Sequence, residues 1–181
     1  MSSDIKSLSV LGPRVAIIGP SNSGKSTLAK AISHKTSYPA IHLDQLYHLP
    51  GTHWQARPKS HFLALHRAAI DQERWIIEGN YSSCLKERMD RATGVILLDI
   101  SLPLMLMRYF RRTVFQRERI GGVLAEHQRD RINGDMLKYL LFTTSKNRAH
   151  HRTIFDELTM PKVALLSAKQ VKRCWKEWAL K

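Results

Sequence analysis

The segment from residue 14 to residue 36 constrains the fold of this chain more than any other. Its first part, RVAIIG at 14–19, is short, branched and apolar, which is typical of a strand buried on both faces of a sheet. The residues GPSNSGKS at 19–26 follow and fit the spacing G-x-x-x-x-G-K-[ST]. A helical pattern then begins at Lys25. A strand, this glycine-containing turn and a helix, in that order, predict a phosphate-binding loop.

The residue types in this loop suit a phosphate ligand. Glycines let the chain curl so that successive N–H groups point inward, and the helix N-terminus adds partial positive charge. Lys25 can reach the β- and γ-phosphates of a nucleotide, and the Ser26 hydroxyl can bind Mg²⁺. We therefore predict ATP and Mg²⁺ as ligands. The predicted nucleotide-binding residues are Gly19, Ser21, Asn22, Ser23, Gly24, Lys25, Ser26 and Thr27.

Apolar runs and helical patterns alternate along the rest of the chain. After the first strand, further strands are predicted at 40–43, 75–77, 95–98 and 162–166. Short apolar strands alternating with helices predict a parallel sheet covered on both faces. The 181 residues contain no internal repeat and no dividing linker. We expect an α/β fold of three layers, with a five-stranded parallel sheet, in a single domain over 1–181 that includes an N-terminal arm at 1–13.

Acidic residues follow three of the predicted strands, namely Asp44, Glu78 and Asp99. Ligands bind at the carboxyl ends of the strands in an open parallel sheet, so all three are expected near the phosphate loop. Asp44 or Glu78 could order Mg²⁺ through water or accept a proton from a substrate hydroxyl. The alternative for each residue is a solvated position or a helix cap just after the strand.

A helix predicted from Pro103 to about residue 119 is rich in arginine. Four of its arginines share an arc of about 100°, and these are Arg108, Arg111, Arg112 and Arg119; Arg117 lies in the same helix. A neighbouring arc is predicted to be buried, and it comprises Leu106, Met107, Phe110 and Val114. Arginines can stabilise a phosphoryl group in transfer, a role favoured here for Arg108 and Arg112, whereas a solvated basic face is the alternative. Gly121-Gly122 would suit the hinge of a lid at about 117–133.

Several residues are candidates for the acceptor side. Arg88 could face the site from the helix after the third strand, or it could pair with Glu87, Asp90 or solvent. The loop after Asp44 is crowded with Tyr47, His48, His53 and Trp54. These rings could stack on a flat substrate, with Trp54 as the candidate contact, or they could pack against one another.

Charge and composition limit the ligands and the cellular compartment that are expected for this protein. The net charge is +14, and +10 of it lies from Arg108 onward, where 17 basic and 7 acidic residues occur. Such a surface attracts nucleotides, phosphorylated substrates or nucleic acid. The two cysteines fit a reducing compartment. The longest apolar stretch, 95–107, is interrupted by Asp99 and Pro103 and is short of the ~20 residues of a membrane span. We expect a cytoplasmic protein.

Four segments in this order resemble the P-loop kinases of the adenylate-kinase-like group. They are GPSNSGKSTLA, IHLDQLYHLPGTHW, WIIEGNY and VILLDISLPLMLMRYFRR, the last with the spacing Arg108-x-x-x-Arg112. Within that group the chain is similar, over about 14–180, to the small bacterial DNA-topology-modulation (FlaR-type) proteins. Adenylate kinases carry Asp-Gly-Phe-Pro-Arg after the third strand, whereas this chain has Glu78-Gly-Asn-Tyr-Ser.

The resemblance implies ATP and Mg²⁺ binding and phosphoryl transfer to a small molecule. It implies that Asp44, Glu78 and Arg88 face the acceptor and that Arg108 and Arg112 lie near the phosphates. The leading hypothesis is therefore an ATP-dependent small-molecule kinase. Its candidate catalytic residues are Lys25, Asp44, Glu78, Arg108 and Arg112; its candidate substrate-binding residues are Asp44, Trp54 and Arg88; and its candidate metal ligand is Ser26. The alternatives are a nucleotide-dependent DNA-binding protein and a slow ATPase without an acceptor.

Overall fold

The structure is a computed structural model that describes residues 5–52, 54–115 and 144–181. The predicted lid at about 117–133 lies outside the described residues, with Arg117, Arg119 and Gly121-Gly122. His53 also lies outside them. Arg112 is described as part of a helix, but its side chain is not.

The centre of the fold is a five-stranded sheet in which every pair of neighbouring strands is parallel. The strand order is β2-β3-β1-β4-β5. The strands are β1 (Arg14–Ile18), β2 (Ala40–His42), β3 (Trp75–Glu78), β4 (Gly94–Leu98) and β5 (Lys162–Leu165). The predicted five-stranded parallel sheet is thus confirmed, and β1 lies in its middle between β3 and β4.

Helices connect the strands. They are α1 (Lys25–Thr36), α2 (Leu43–Tyr47), α3 (Lys59–Ile70), α4 (Leu85–Arg91), α5 (Leu102–Phe115), α6 (Thr144–Glu157) and α7 (Ala168–Glu177), with 3₁₀ turns at Leu8–Leu11 and Ser82–Cys84. The prediction of a loop at 45–57 was wrong at its start, because the chain turns directly from β2 into the short helix α2. The buried side chain of Leu43 anchors the start of this helix, and Asp44 lies in its first turn, where the helix dipole favours a carboxylate.

Apolar side chains from both faces of the sheet form the core. Successive residues of β1 alternate, so that Ala16 and Ile18 belong to one cluster and Val15 and Ile17 to the other. The first cluster includes Phe62 of α3. The second includes Leu28 of α1 and Trp178, which follows α7. Both faces are covered, so the three-layer α/β architecture is confirmed.

Helix α5 buries a different stripe from the predicted one. Met107 and Phe110 are 59% and 41% exposed, whereas Met105 and Tyr109 are buried. The prediction was wrong because it left out Tyr109, which lies four residues after Met105 and so on the same, buried side of the helix. The helix is rotated accordingly, and Arg108 is half-buried beside the phosphate loop.

Candidate active site

The phosphate loop, residues 19–26, leaves the carboxyl end of β1 in a backbone conformation that requires glycine at two positions. Gly19 has φ +139°, and a Cβ added there would lie 2.1 Å from the carbonyl oxygen of Leu98. Gly24 has φ +103° and caps the N-terminus of α1. Within the described residues, two buried polar groups of the loop, Asn22 Nδ2 and Ser23 Oγ, have no hydrogen-bond partner. Buried polar groups without partners are uncommon and are typical of a site that awaits a polar ligand.

Asn80, which lies in the turn after the neighbouring strand β3, holds the start of the loop through two hydrogen bonds. Its Oδ1 accepts a hydrogen bond from the amide of Gly19 at 3.1 Å, and its Nδ2 donates to the carbonyl of Gly19 at 2.7 Å. The sequence analysis did not identify this residue. The available signal was the quoted segment WIIEGNY, in which an amide side chain follows the strand-ending Glu78-Gly79.

Lys25 and Ser26 are the first two residues of α1, and both make hydrogen bonds at the phosphate loop. Lys25 is 9% exposed, and its Nζ donates to the carbonyl of Pro20 at 2.9 Å, which keeps the ammonium inside the loop. Ser26 Oγ donates to Glu78 Oε1 at 2.9 Å. The predicted loop residues and the carboxylate that ends β3 are therefore in direct contact.

Glu78 is buried, with 4% of its surface exposed, and it also contacts His42, which ends β2. His42 Nδ1 lies 2.9 Å from Glu78 Oε1. Burial alone would raise the pKa of Glu78, but the hydrogen bond from His42, the charge of Lys25 and the hydrogen bond from Ser26 outweigh it and lower the pKa. Glu78 is therefore an ionised carboxylate beside the phosphate loop. The sequence analysis did not identify His42 as its partner.

Arg108 reaches the loop from α5. Its Nη1 donates to the carbonyl of Ser23 at 2.6 Å, and a Cβ at Gly24 would lie 3.0 Å from that nitrogen. Partial burial and the nearby charge of Arg111 lower the pKa of Arg108, although a guanidinium stays protonated. The structure thus brings Arg108 to the phosphate loop. Arg111 is exposed.

Two arginines that the sequence analysis did not single out bind Asp99. Asp99 is 1% exposed at the end of β4, and its two oxygens accept hydrogen bonds from Arg148 Nε at 2.5 Å and Arg152 Nε at 2.6 Å. The two arginines are four residues apart and so share one face of α6. Asp99 is thus neither solvated nor a helix cap. It holds two guanidinium groups at the same edge of the sheet as the phosphate loop.

His151 lies between these arginines in sequence on α6. It is 6% exposed, and burial together with the charges of Lys25 and His150 lowers its pKa to about 4, so it is neutral at pH 7. Arg148 and Arg152, which flank it, bind Asp99 at the end of β4, the strand next to the one from which the phosphate loop leaves. Positive charge is therefore concentrated there, from Lys25, Arg108, Arg148 and Arg152.

The acceptor side of the site, by which we mean the surroundings of Asp44 and Tyr81, is aromatic. Tyr81 donates its hydroxyl proton to Asp44 Oδ1 at 2.7 Å, and burial together with the charge of Asp44 raises the pKa of Tyr81, which stays protonated. Its ring lies 4.8 Å from that of Tyr47 and 5.1 Å from that of Phe62, measured between centroids. Trp54 makes an edge contact with His48 at 5.1 Å. Self-packing of these rings, one of the two predicted alternatives, is what the structure describes.

Arg88 is fully buried behind the turn that follows β3. Its Nη2 donates to the carbonyl of Gly79 at 2.8 Å. Burial lowers its pKa to about 10, while the nearby Cys84 and Glu78 act in the opposite direction. It remains protonated at pH 7, and the pairing with Glu87 or Asp90 that was the alternative does not occur among the described contacts.

The oxygen donors of Ser26 and Glu78 suit Mg²⁺, which prefers hydroxyl, carboxylate and water oxygens. Within 5–52, 54–115 and 144–181, no group of three or more His, Cys, Asp or Glu side chains is arranged to hold a metal ion by itself. Among the helices of the described ranges, none is long and apolar enough to cross a membrane.

No family model and no curated protein matches the sequence. Solved structures do match. A gluconokinase from Sinorhizobium meliloti 1021 superposes with a TM-score of 0.54 at 14% identity, over 93% of each chain. A shikimate kinase from Bacteroides thetaiotaomicron superposes with a TM-score of 0.52 at 19% identity, over 91% of this chain and 97% of that one.

The fold is that of the P-loop kinases. Identities of 14% and 19% show a shared fold and leave the reaction open. The predicted P-loop kinase resemblance is confirmed at the level of the fold, whereas the narrower likeness to the DNA-topology-modulation proteins stays a prediction.

Proposed function

We propose that the protein is an ATP-dependent kinase that transfers the γ-phosphoryl group of ATP to a small molecule. The observation that carries the proposal is the constellation at the carboxyl ends of β1 and β3. There Lys25 is held inside a glycine-strained loop and Ser26 is hydrogen-bonded to the ionised Glu78. Loop amides, a lysine and a hydroxyl next to a carboxylate are the parts from which P-loop enzymes build a triphosphate site.

On the phosphate side, main-chain N–H groups of residues 21–24 and the ammonium of Lys25 bind the β- and γ-phosphates. Ser26 and Glu78 would hold Mg²⁺, Ser26 through its hydroxyl and Glu78 through an intervening water. The ion would supply neutralisation of the charge on the phosphates. Arg108 adds positive charge from α5, and Arg148 and Arg152, oriented by Asp99, add it from α6. Arg112, one turn beyond Arg108, is proposed to act with them.

On the acceptor side, Asp44 is the general base. Glu78 is buried and already engaged by Ser26 and His42, whereas the carboxylate of Asp44 is exposed and needs only Tyr81 to orient it. The acceptor hydroxyl gives its proton to Asp44 as its oxygen attacks the γ-phosphorus. The bond from that phosphorus to the β–γ bridging oxygen breaks, and ADP leaves with the electron pair. Trp54 and Arg88 contact the acceptor.

The test is ATP consumption by the full chain with Mg²⁺ against a panel of nucleosides, nucleotides, sugars and sugar acids. We expect at least one compound to raise consumption well above the rate with water alone. Asp44→Asn should lower the turnover of that compound about 10²–10⁴-fold, the usual contribution of a general base, and leave ATP binding unchanged. The matched control is Asp71→Asn, which changes a largely exposed carboxylate whose contact with Arg91 is long, at 3.5 Å.

The results of this test distinguish a kinase from a slow ATPase that has no acceptor. ATP hydrolysis that no member of the panel accelerates would favour an ATPase without an acceptor. Acceptor turnover that is equal in wild type and Asp44→Asn would leave a kinase and remove the role given to Asp44.

A further inference from the structure

Arg88 has an unusual environment for a charged side chain. It is 0% exposed, and Nη2 is the nitrogen with a hydrogen bond, to the carbonyl of Gly79 at 2.8 Å. Its Nε and Nη1 have no hydrogen-bond partner among the described residues. A guanidinium carries five N–H donors, and that of Arg88 stays charged at pH 7.

The charge of Arg88 also lacks a counter-ion within the described part of the chain. The adjacent Glu87 binds Arg67 at 2.9 Å instead. Glu78 is close enough for its charge to act on Arg88, but its Oε1 already accepts from Ser26 and lies against His42. Burial of an unpaired charge is costly, so native proteins pair such groups with protein or ligand anions.

His66 of α3 adds two buried ring nitrogens without a hydrogen bond in the described part of the chain, of which Nδ1 lies 3.9 Å from Glu87 Oε2. It is 0% exposed, and neither Nδ1 nor Nε2 has a hydrogen-bond partner among the described residues. Burial, followed by the charge of Arg88, lowers its pKa to about 4, so the ring is neutral at pH 7. A neutral imidazole offers one N–H donor beside the guanidinium.

The position of Arg88 links it to the reacting groups. Gly79, Asn80 and Tyr81 are consecutive, and they contact Arg88, Gly19 of the phosphate loop and Asp44, respectively. Three residues of one turn therefore connect the buried guanidinium, the nucleotide site and the general base. A ligand anchored at Arg88 would lie beside the turn whose Tyr81 binds Asp44.

We propose that Arg88 and His66 form a binding subsite for an anionic group of the acceptor, so that the substrate of this kinase carries a phosphate or a carboxylate in addition to its reacting hydroxyl. The inference rests on the proposed kinase function, whose acceptor it narrows to a chemical class. Because Arg88 has no exposed surface, entry of the anion displaces neighbouring side chains. Phe62 packs 6.4 Å from His66 and 5.1 Å from Tyr81, between ring centroids, and is the ring expected to move.

The first test measures anion binding without any acceptor. Thermal unfolding of the full chain is followed with a non-hydrolysable ATP analogue and Mg²⁺ at saturation, while inorganic phosphate or acetate is titrated at constant ionic strength. We expect the wild-type Tm to rise by a few degrees in a saturable way with at least one of the two anions. The anion that produces the rise distinguishes a phosphate-bearing from a carboxylate-bearing acceptor.

Variants assign the binding to Arg88. Arg88→Met should fold with an equal or higher Tm, because it removes an unpaired buried charge, and should lose the anion-dependent rise. Lys86→Met is the matched control, since it removes a positive charge from the exposed face of the same helix, and it should keep the rise. Should Arg88→Met not fold, Arg88→Lys retains the charge and should weaken the rise. An equal anion response in wild type and the folded Arg88 variant overturns the subsite.

The second test uses matched acceptors with wild type and Arg88→Met. Each pair keeps the same skeleton and reacting hydroxyl and differs in the charge of one group, for example a sugar acid and its amide, or a phosphate monoester and its uncharged methylphosphonate-type ester. We expect kcat/KM to favour the anionic member more than tenfold in wild type and the preference to vanish in the variant. Equal turnover of the neutral member would overturn the subsite and leave the kinase in place. If the ATP analogue fails to bind, the proposed function fails, and the difference between wild type and Arg88→Met in the anion titration still reports on Arg88.

Discussion

The two sides of the candidate site hold their polar groups in different ways. On the phosphate side, two side chains from outside the loop bind its main chain, Asn80 at Gly19 and Arg108 at Ser23. Side chains also pair there, as Ser26 does with Glu78. On the acceptor side, the side chains of Asp44 and Tyr81 bind each other, and Arg88 binds the main chain outside the loop, at Gly79. The contacts with the loop main chain hold the loop for a triphosphate, which is common to many reactions, whereas the side chains around Asp44 and Tyr81 are the part that would select a particular acceptor.

The largest expected effect comes from Lys25→Ala, which tests whether the phosphate side carries the chemistry. Removing one preorganised charged donor should lower ATP-dependent turnover by at least about 10²-fold. The Tm should change little, since the loop geometry depends on its glycines. Lys30→Ala removes an exposed lysine from the same helix and should keep full turnover. A folded Lys25→Ala protein with wild-type turnover would contradict the assignment.

The next largest effect is expected for Gly19→Ala, which tests whether the conformation of the loop depends on its glycine backbone. Gly19→Ala should destabilise the protein by several kcal/mol, because its Cβ would meet the Leu98 carbonyl oxygen at 2.1 Å. Gly51→Ala is the control, since Gly51 also has positive φ, at +71°, but has open space around it, and it should cost only about 1 kcal/mol. Urea unfolding measures both. Equal losses for the two variants would contradict the steric account.

Asp99→Asn tests whether α6 belongs to the phosphate side. The change leaves Arg148 and Arg152 without their shared carboxylate and should cost about 2–4 kcal/mol, reduced by the partial exposure of the arginines. It should also weaken the binding of MgATP, because the two guanidinium groups lose their orientation. A variant with lower stability and unchanged nucleotide affinity would assign Asp99 a structural role alone.

The smallest effect is a dependence of folding stability on pH that arises from His66, which packs near the acceptor side. His66 has a pKa of about 4 in the folded chain against 6.5 in the unfolded chain, so between these values the unfolded chain binds the extra proton. Folding stability should therefore fall as the pH is lowered from 6.5 towards 4, by up to about 3 kcal/mol from this residue. His66→Leu should flatten the pH profile of the free energy of unfolding. His61→Leu, at an exposed position of α3, should leave the profile unchanged. Any dependence of the free energy of unfolding on pH that remains in His66→Leu is attributed to His151, whose pKa is also lowered to about 4.

The sequence predicted the local geometry of the phosphate loop but not the partners that hold it, for a physical reason. The loop is local, so the spacing of Gly19, Gly24 and Lys25 by itself implies its geometry. The partners His42 and Asn80 contact residues 36 and 61 positions away, which no local pattern specifies. The same holds for Arg148 and Arg152, which reach Asp99 across 49 and 53 positions.

Helix α5 shows a second reason why the sequence alone does not predict the structure. Its arginines predicted a polar face, and Arg108 does lie at the loop, but the buried stripe was wrong because apolar residues occur all round the helix. Which of several apolar faces is buried depends on the elements that pack against it, and only the folded chain supplies them.

The most direct test of the account is calorimetric titration of the folded full chain with a non-hydrolysable ATP analogue and Mg²⁺. The account predicts a saturable heat for wild type, retained in Asp44→Asn and lost or strongly weakened in Lys25→Ala. Absence of any binding heat in folded wild-type protein, with purine and with pyrimidine triphosphates alike, would contradict the claim that residues 19–26 bind a nucleotide.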